Sequence, residues 1–146
     1  MPARRPVPKV LLAAAALMLA ACGRSKLDSI EDPRERWSAR RPAGYAFTLQ
    51  WSGAVPLDYR SASRITVDGD TVVSVVDPDS GGPTRGPRQT LDDLFALIAA
   101  ERARGAYRVD VRYDAALGYP VTAELVESAT DPSNARRFEV SDFQAR

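Results

Sequence analysis

The chain contains no histidine and a single cysteine, Cys22, among its 146 residues. Histidine is the commonest general base, and without it the Ser-His and Cys-His pairs of nucleophilic catalysis cannot form. One cysteine cannot make an intramolecular disulfide, and most zinc sites need several cysteine or histidine ligands. The sequence therefore predicts a domain without disulfide, metal or other cofactor, and it favours a protein that is not an enzyme.

Positive charge is not in excess either. The chain has 20 basic and 19 acidic residues, and its only lysines are Lys9 and Lys26. A nucleic-acid-binding domain usually has a basic patch and a high isoelectric point. We therefore expect no nucleic-acid partner.

No hydrophobic run is long enough to span a membrane. The apolar residues 10–21 would measure about 18 Å as a helix, whereas a transmembrane helix needs about 20 residues. They follow a positively charged start that contains Arg4, Arg5 and Lys9, and this order is typical of a secretory signal peptide. We predict that residues 1–21 are cleaved from an exported protein.

The apolar run ends in Leu19-Ala20-Ala21-Cys22, which resembles the bacterial lipobox. The resemblance implies that Cys22 is lipidated and anchors the mature chain at the outer face of the cytoplasmic membrane or, in a Gram-negative cell, at the outer membrane facing the periplasm. Residues 22–26 would form the tether and residues 27–146 a single domain. The alternative is an ordinary signal peptide followed by a coincidental cysteine.

A short polar helix is predicted at residues 27–40, with Pro33 in its opening part. Trp37 is one of its few apolar residues. The side chain has two possible environments, namely the sheet of the domain or the lipid interface close to the anchor.

Two-residue periodicity predicts three strands after this helix. In the first, the alternating apolar residues form a core-facing row: Tyr45, Phe47, Leu49 and Trp51. Residues 63–67 and 71–76 are β-branched runs around Asp68-Gly69, a pair that favours a tight hairpin turn. Residues 77–88, rich in proline and glycine, are predicted to form a loop.

A second helix is predicted from Thr90 to Gly105. Thr90 is the expected N-cap with Asp93 as its capping-box acid, and Gly105 the expected C-cap. Glu101 belongs to the polar end of this helix. The apolar stripe consists of Leu91, Leu94, Phe95 and Ile98.

Three more strands are predicted at residues 106–113, 120–127 and 137–143. In the first of them, one row is expected to face the core: Tyr107, Val109, Val111 and Tyr113. Short connections imply antiparallel pairing. The predicted fold is α+β, with the order helix, three strands, helix, three strands, an antiparallel sheet of about six strands, and the helices packed on one face.

Several segments together resemble the bacterial family named domain of unknown function 6174. They are Arg36-Trp37, the aromatic strand from Tyr45, the hairpin of residues 67–70, the capped residues 90–95 and above all residues 111–120, VRYDAALGYP. The resemblance implies a secreted or lipid-anchored protein and brings no activity with it. Many members carry a Cys-x-Cys pair after the first strand, where this chain has Trp51-Ser52-Gly53-Ala54.

The loop within that signature is a candidate binding surface. Its residues of interest are Tyr113, Asp114, Gly118, Tyr119 and Pro120. Tyrosines and loops commonly contribute to recognition. The same residue types also form turns, because aspartate accepts backbone hydrogen bonds and glycine permits positive φ.

Catalytic and metal-binding patterns are weak. Asp110 and Asp114 offer a carboxylate pair for sugar hydrolysis, but they alternate with arginines, which favours salt bridges. Asp77, Asp79 and Ser80 partly match a calcium loop that lacks its distant glutamate. The leading hypothesis is a non-catalytic lipoprotein that binds an envelope protein or glycan. The alternatives are a carboxylate-dependent hydrolase of cell-wall glycan and an inhibitor of a secreted enzyme.

Overall fold

The computed structural model describes residues 32–146. The predicted signal peptide, Cys22, the tether and the first residues of the predicted N-terminal helix lie outside the described residues. The architecture is α+β, with a six-stranded antiparallel sheet and two helices, as the sequence predicts. The elements are α1 (Pro33–Arg40), β1 (Gly44–Gly53), β2 (Ser63–Asp68), β3 (Thr71–Val76), α2 (Leu91–Ala103), β4 (Arg108–Tyr113), β5 (Pro120–Val126) and β6 (Arg136–Ala145).

The sheet consists of two three-stranded meanders, with the strand order β3-β2-β1-β6-β5-β4. The ten-residue strands β1 and β6 pair with each other at the centre. Strands β2 and β3 meet in a two-residue turn at Gly69-Asp70, where Gly69 has a φ of 58°. This positive φ at the first central residue suits the right-handed twist of a hairpin.

One face of the sheet carries the core. On β1, Tyr45, Phe47 and Leu49 are fully buried, as their alternation predicts. Helix α2 covers them with Leu94 and Ile98 among the fully or nearly fully buried residues of the same cluster. Because side chains alternate along a strand, the intervening residues point to the opposite face, on which no described helix packs.

Both ends of α2 follow the predicted chemistry. Thr90 and Asp93 form a reciprocal capping box at the N-terminus. At the C-terminus, the amide of Ala106 donates to the carbonyl of Glu101, and Gly105 has a φ of 74°. This pattern is a Schellman motif. The C-cap residue itself is Arg104, one residue before the predicted Gly105. Gly105 occupies the position directly after the cap.

Helix α1 begins at Pro33, later than the predicted start at residue 27. The side chain of Asp32 caps it by accepting from the amides of Arg34 and Glu35 at 2.7 and 3.2 Å. Asp32 itself has an extended conformation (φ −68°, ψ 118°), so it marks the N-terminal boundary of α1. Trp37 is fully buried against the sheet, which confirms the packing interpretation of this residue.

Two residues differ from their predicted environments. Tyr107 precedes β4 and is 62% exposed, so the core-facing row of this strand starts at Val109. Glu101, predicted at a polar helix end, is 1% exposed. Its carboxylate is compensated by Arg104 and by Arg136 of β6, the latter at 2.8 Å, because the last turn of α2 lies over the start of that strand.

Candidate functional site

The β4–β5 loop, residues 114–119, folds around Asp114. Its Oδ1 accepts from the amides of Ala116 and Leu117 at 3.0 and 2.6 Å. The backbone amides of Asp114 and Gly118 close the turn by donating to Tyr119 and Asp114. The carboxylate therefore shapes the turn from within, as an Asx-type interaction.

Helix α1 lies directly on this loop. Two guanidinium groups of the helix donate to loop carbonyls, Arg36 to Ala115 at 3.0 Å and Arg40 to Ala116 at 2.8 Å. Gly118 has a φ of 86°, and a Cβ atom at this position would overlap the carbonyl oxygen of Pro33. Only glycine fits, since it alone combines the positive φ with so close a backbone approach.

An aromatic cluster fills the space between α1 and the sheet. Trp37 makes edge contacts with Tyr45, Tyr119 and Phe143, with ring centroids 5.3, 5.9 and 6.2 Å apart. Tyr119 stacks on Phe143 at 4.8 Å. Such pairs stabilise beyond the area that they bury. Burial also raises the pKa of Tyr119 above its usual value, with a further contribution from the charge of Asp114.

A bulge in β6 brings Phe143 into this cluster. Between the pairs Thr48–Ser141 and Ala46–Gln144, the single residue Phe47 faces two residues of β6. Asp142 occupies the extra position with a φ of 50°. An extra residue reverses the alternation of side chains, so that Phe143 points to the helix face.

Asp92 connects α1 to α2. Its carboxylate accepts from the guanidinium groups of Arg34 and Arg41 at 2.7 and 2.9 Å and from Trp37 Nε1 at 3.2 Å. In the sequence, Asp92 stands only as an acidic residue in the first turn of the second helix, where it suits the helix dipole. Its three partners lie 51 or more positions away along the chain, and no local pattern indicates them.

The five residues singled out in the sequence therefore have defined places. Tyr113 stacks on Phe95 at 5.9 Å, while Asp114 and Gly118 form the turn. Tyr119 belongs to the aromatic cluster, and Pro120 is buried at the start of β5. The loop packs α1 against the sheet, and a binding role for it stays a prediction.

The open face of the sheet holds a second candidate surface, which the sequence analysis did not identify. A groove of about 700 Å³ lies over strands β1, β6, β5 and β4. The polar side chains that line it are Gln50, Ser52, Asp110, Arg112, Thr122, Glu124, Arg137 and Glu139. Alternating polar residues in four predicted strands were the available signal, but the strand order decides that they share one groove.

Glu124 is the most connected group of this open face. It accepts from Arg137 at 2.7 Å and from Arg108 at 2.8 Å, and Arg108 also lies 3.4 Å from Asp110. The hydrogen bond from Arg137, followed by that from Arg108, lowers the pKa of Glu124 below its usual value. Among the described residues, neither Arg112 nor Glu139 forms an ion pair across this groove.

The remaining candidates have local structural roles. Asp77 Oδ1 accepts from the amides of Asp79 and Ser80 and from the Ser80 hydroxyl, contacts that lower the pKa of Asp77. Within residues 32–146, no three acidic side chains gather as metal ligands. In the same part of the chain, neither helix has the length and apolar character to cross a membrane.

Comparison with known proteins identifies the family of the chain. The model of a family of unknown function, DUF6174, matches residues 29–145. The chain therefore belongs to this family, as its signature residues predict. Neither the curated proteins nor the solved structures include a significant match to the chain.

Proposed function

We propose that this protein is a bacterial lipoprotein that holds a non-catalytic binding domain at an envelope membrane through a lipid on Cys22. The observation that carries the proposal is the lipobox-like Leu19-Ala20-Ala21-Cys22 directly after a short apolar run with a basic start. Dual or triple acylation of one cysteine anchors a protein firmly, whereas a single chain binds a membrane only marginally.

The position of Asp32 limits how far the domain can lie from the membrane. Nine residues lie between Cys22 and Asp32, and the stretch of chain that joins the two residues reaches at most about 36 Å. Asp32 caps α1, which packs on the β4–β5 loop. Under this proposal the domain stays within that distance of the membrane.

The carboxylates support binding over hydrolysis. Asp110 contacts Arg108, and Asp114 is committed to the turn. Four residues of extended strand span about 13 Å, more than the roughly 5–9.5 Å between the carboxyl groups of glycosidases. The open face presents guanidinium and carboxylate groups side by side, a surface suited to a charged envelope protein.

The anchor is tested by replacing its only thiol. A Cys22→Ser variant should remain unprocessed or leave the membrane fraction, and it should lose incorporation of labelled palmitate. Ser25→Ala, three positions away, is the matched control and should behave like the wild type. A Cys22→Ser protein that stays in the membrane at mature size would contradict the lipoprotein proposal.

The binding role is tested by crosslinking in intact cells. A partner captured by the wild-type chain should be lost with Arg137→Glu, which reverses a charge in the groove beside Glu124. Arg85→Glu, in the exposed part of residues 77–90, is the control for charge. Turnover of an envelope glycan by the purified protein, abolished in Asp110→Asn, would favour the hydrolase alternative.

A further inference from the structure

The two edges of the sheet are protected differently. At the β3 edge, Arg88 donates to the carbonyl of Val72 at 3.0 Å, and Pro83 forms a bridge with Val76. At the other edge, β4 is the last strand, and nothing among residues 32–146 pairs with its outer side. An uncovered edge strand is a template for pairing with another chain.

The side chains of β4 alternate in charge as well as in burial. Arg108, Asp110 and Arg112 are exposed on the open face, and Asp114 follows the strand. Val109, Val111 and Tyr113 point towards the helices and are only partly buried. Strand β4 and the residue after it therefore read Arg-Val-Asp-Val-Arg-Tyr-Asp, a sequence with opposite charges at positions equally distant from Val111.

We propose that this edge is a dimer interface, in which β4 pairs antiparallel with β4 of a second copy about a twofold axis at Val111. In this register Asp110 faces Arg112 of the second copy, while Arg108 comes near Asp114 of the second copy, which lies just beyond β4 and whose Oδ1 is held by the turn. Directly opposed residues lie on the same face of a sheet, and opposite charges in such pairs stabilise it. By symmetry each pair occurs twice.

Neighbouring registers that keep the faces aligned are less favourable. An axis at Asp110 opposes this residue to its own copy and Arg108 to Arg112, so that each of these charged pairs repels. An axis at Val109 keeps only the Arg108–Asp110 pairs and sets Arg112 opposite the uncharged Ala106. Charge complementarity thus selects the axis at Val111.

The apolar row of β4 adds to the interface. With the axis at Val111, this residue faces its own copy, and Val109 faces Tyr113 of the second copy. Tyr113 also lines a cleft of about 420 Å³ with Phe95, Ala96 and Ala99 of α2. Because the axis is perpendicular to the sheet, both helix layers lie on one face of a continuous twelve-stranded sheet, and the partly exposed apolar row becomes covered.

Thiol crosslinking of the full chain in intact cells tests this arrangement. Directly opposed Cβ atoms lie about 4.5–5.5 Å apart, so Val111→Cys should yield a covalent dimer with a short thiol crosslinker. Val73→Cys is the matched control, because Val73 is 55% exposed on the opposite edge strand, β3. The wild type, with Cys22 alone, sets the background. Equal crosslinking of the Val111→Cys and Val73→Cys variants would overturn the proposal.

Charge exchange tests the register in the Val111→Cys background. Arg112→Asp and Asp110→Arg each place like charges opposite one another twice, and each should lower the crosslinked fraction about tenfold. A cell that produces both variants should regain the dimer as a mixed pair, because one strand is then acidic at both positions and the other basic. The Asp110→Arg/Arg112→Asp double variant should regain it too.

Misfolding cannot imitate this result, since a misfolded chain would not be rescued by a second variant. Arg85→Asp, which makes the same change of charge in the loop near β3, should leave the dimer intact. The interface would be refuted if the Arg112→Asp and Arg85→Asp variants gave equal dimer fractions. It would also be refuted if the mixed pair did not recover the dimer. Membrane fractionation of the same cells reports separately on the lipid anchor.

Discussion

The two faces of the sheet arise from alternate residues of the same strands. On β1, Tyr45 and Leu49 are fully buried beneath the helices, while Gln50 and Ser52 are exposed in the open groove. Aromatic contacts and a few polar contacts with α1 stabilise the covered face. The open face is held by exposed ion pairs, which contribute little to stability individually. We therefore expect stability to depend mainly on the covered face and the proposed recognition on the open face, so that substitutions on each should have different effects.

The largest effect is expected from Trp37→Ala. An eight-residue helix has little stability of its own, and Trp37 is the fully buried residue that seats α1 among Tyr45, Tyr119 and Phe143. We expect a loss of about 3–5 kcal/mol in the free energy of unfolding, measured by urea denaturation. Tyr107→Ala, an aromatic truncation at an exposed position, should change it by less than about 0.5 kcal/mol. Similar losses of stability in both variants would show that the aromatic cluster does not hold α1 against the sheet.

Gly118→Ala comes next, with an expected loss of about 2–3 kcal/mol from positive φ and overlap with Pro33. Gly81→Ala is the matched control, because Gly81 has a φ of 70° but nothing within 4 Å of the added methyl group. Its loss should be about 1 kcal/mol. The difference between the two losses in free energy of unfolding measures the effect of the close approach of α1 to the loop. Equal losses would show that this approach does not contribute to stability.

Tyr45 allows the covered face to be tested at alkaline pH. Burial raises the pKa of Tyr45 to about 12, so the unfolded chain loses this proton first. Its contribution is present below about pH 10 and disappears as the pH rises towards 12. Tyr45→Phe, which also removes the acceptor of the Leu91 amide, should cost about 1 kcal/mol at pH 7. The stability of this variant should also fall less steeply than that of the wild type as the pH rises from about 10 to 12. If the urea midpoints of the two proteins depend on alkaline pH in the same way, the role of Tyr45 is contradicted.

The smallest effect is expected on the open face, from Glu124→Gln. Because Arg137 and Arg108 lower the pKa of Glu124, its contribution to stability is present above the usual glutamate pKa. It is lost as the pH falls through the lowered value. The variant should differ little from the wild type at pH 7 and should lose less stability between about pH 5 and 3. Asp79→Asn, another exposed acid, should keep the wild-type acid dependence in the same urea titration.

Much of the fold was predictable because it depends on local patterns. The alternation from Tyr45 to Trp51 and the capping box of Thr90 and Asp93 each lie within a few residues, and the structure has both where they were expected. Glu101 was misjudged, since a carboxylate near a helix end is normally solvated. Its burial depends on Arg136, 35 residues further along the chain.

The candidate sites were only partly predictable for the same reason. Asp114 and Gly118 show their turn chemistry in the sequence, but the contact of Gly118 with α1 does not follow from it. The groove on the open face and the unpaired outer side of β4 both depend on strand order, with β1 beside β6 and β4 at the edge. Periodicity says which face a residue takes, and it does not say which strands are neighbours.

The sequence by itself determined the class of the domain, the capping box of α2 and the main turns, and it is the only basis for the proposed export and lipidation at Cys22, because each depends on residues adjacent along the chain. Only the tertiary structure decided that Asp92 joins the two helices, that polar side chains from four strands share one groove, and that the outer side of β4 has no partner strand among residues 32–146. These features come from packing distant segments together, where burial and strand pairing outweigh local preference.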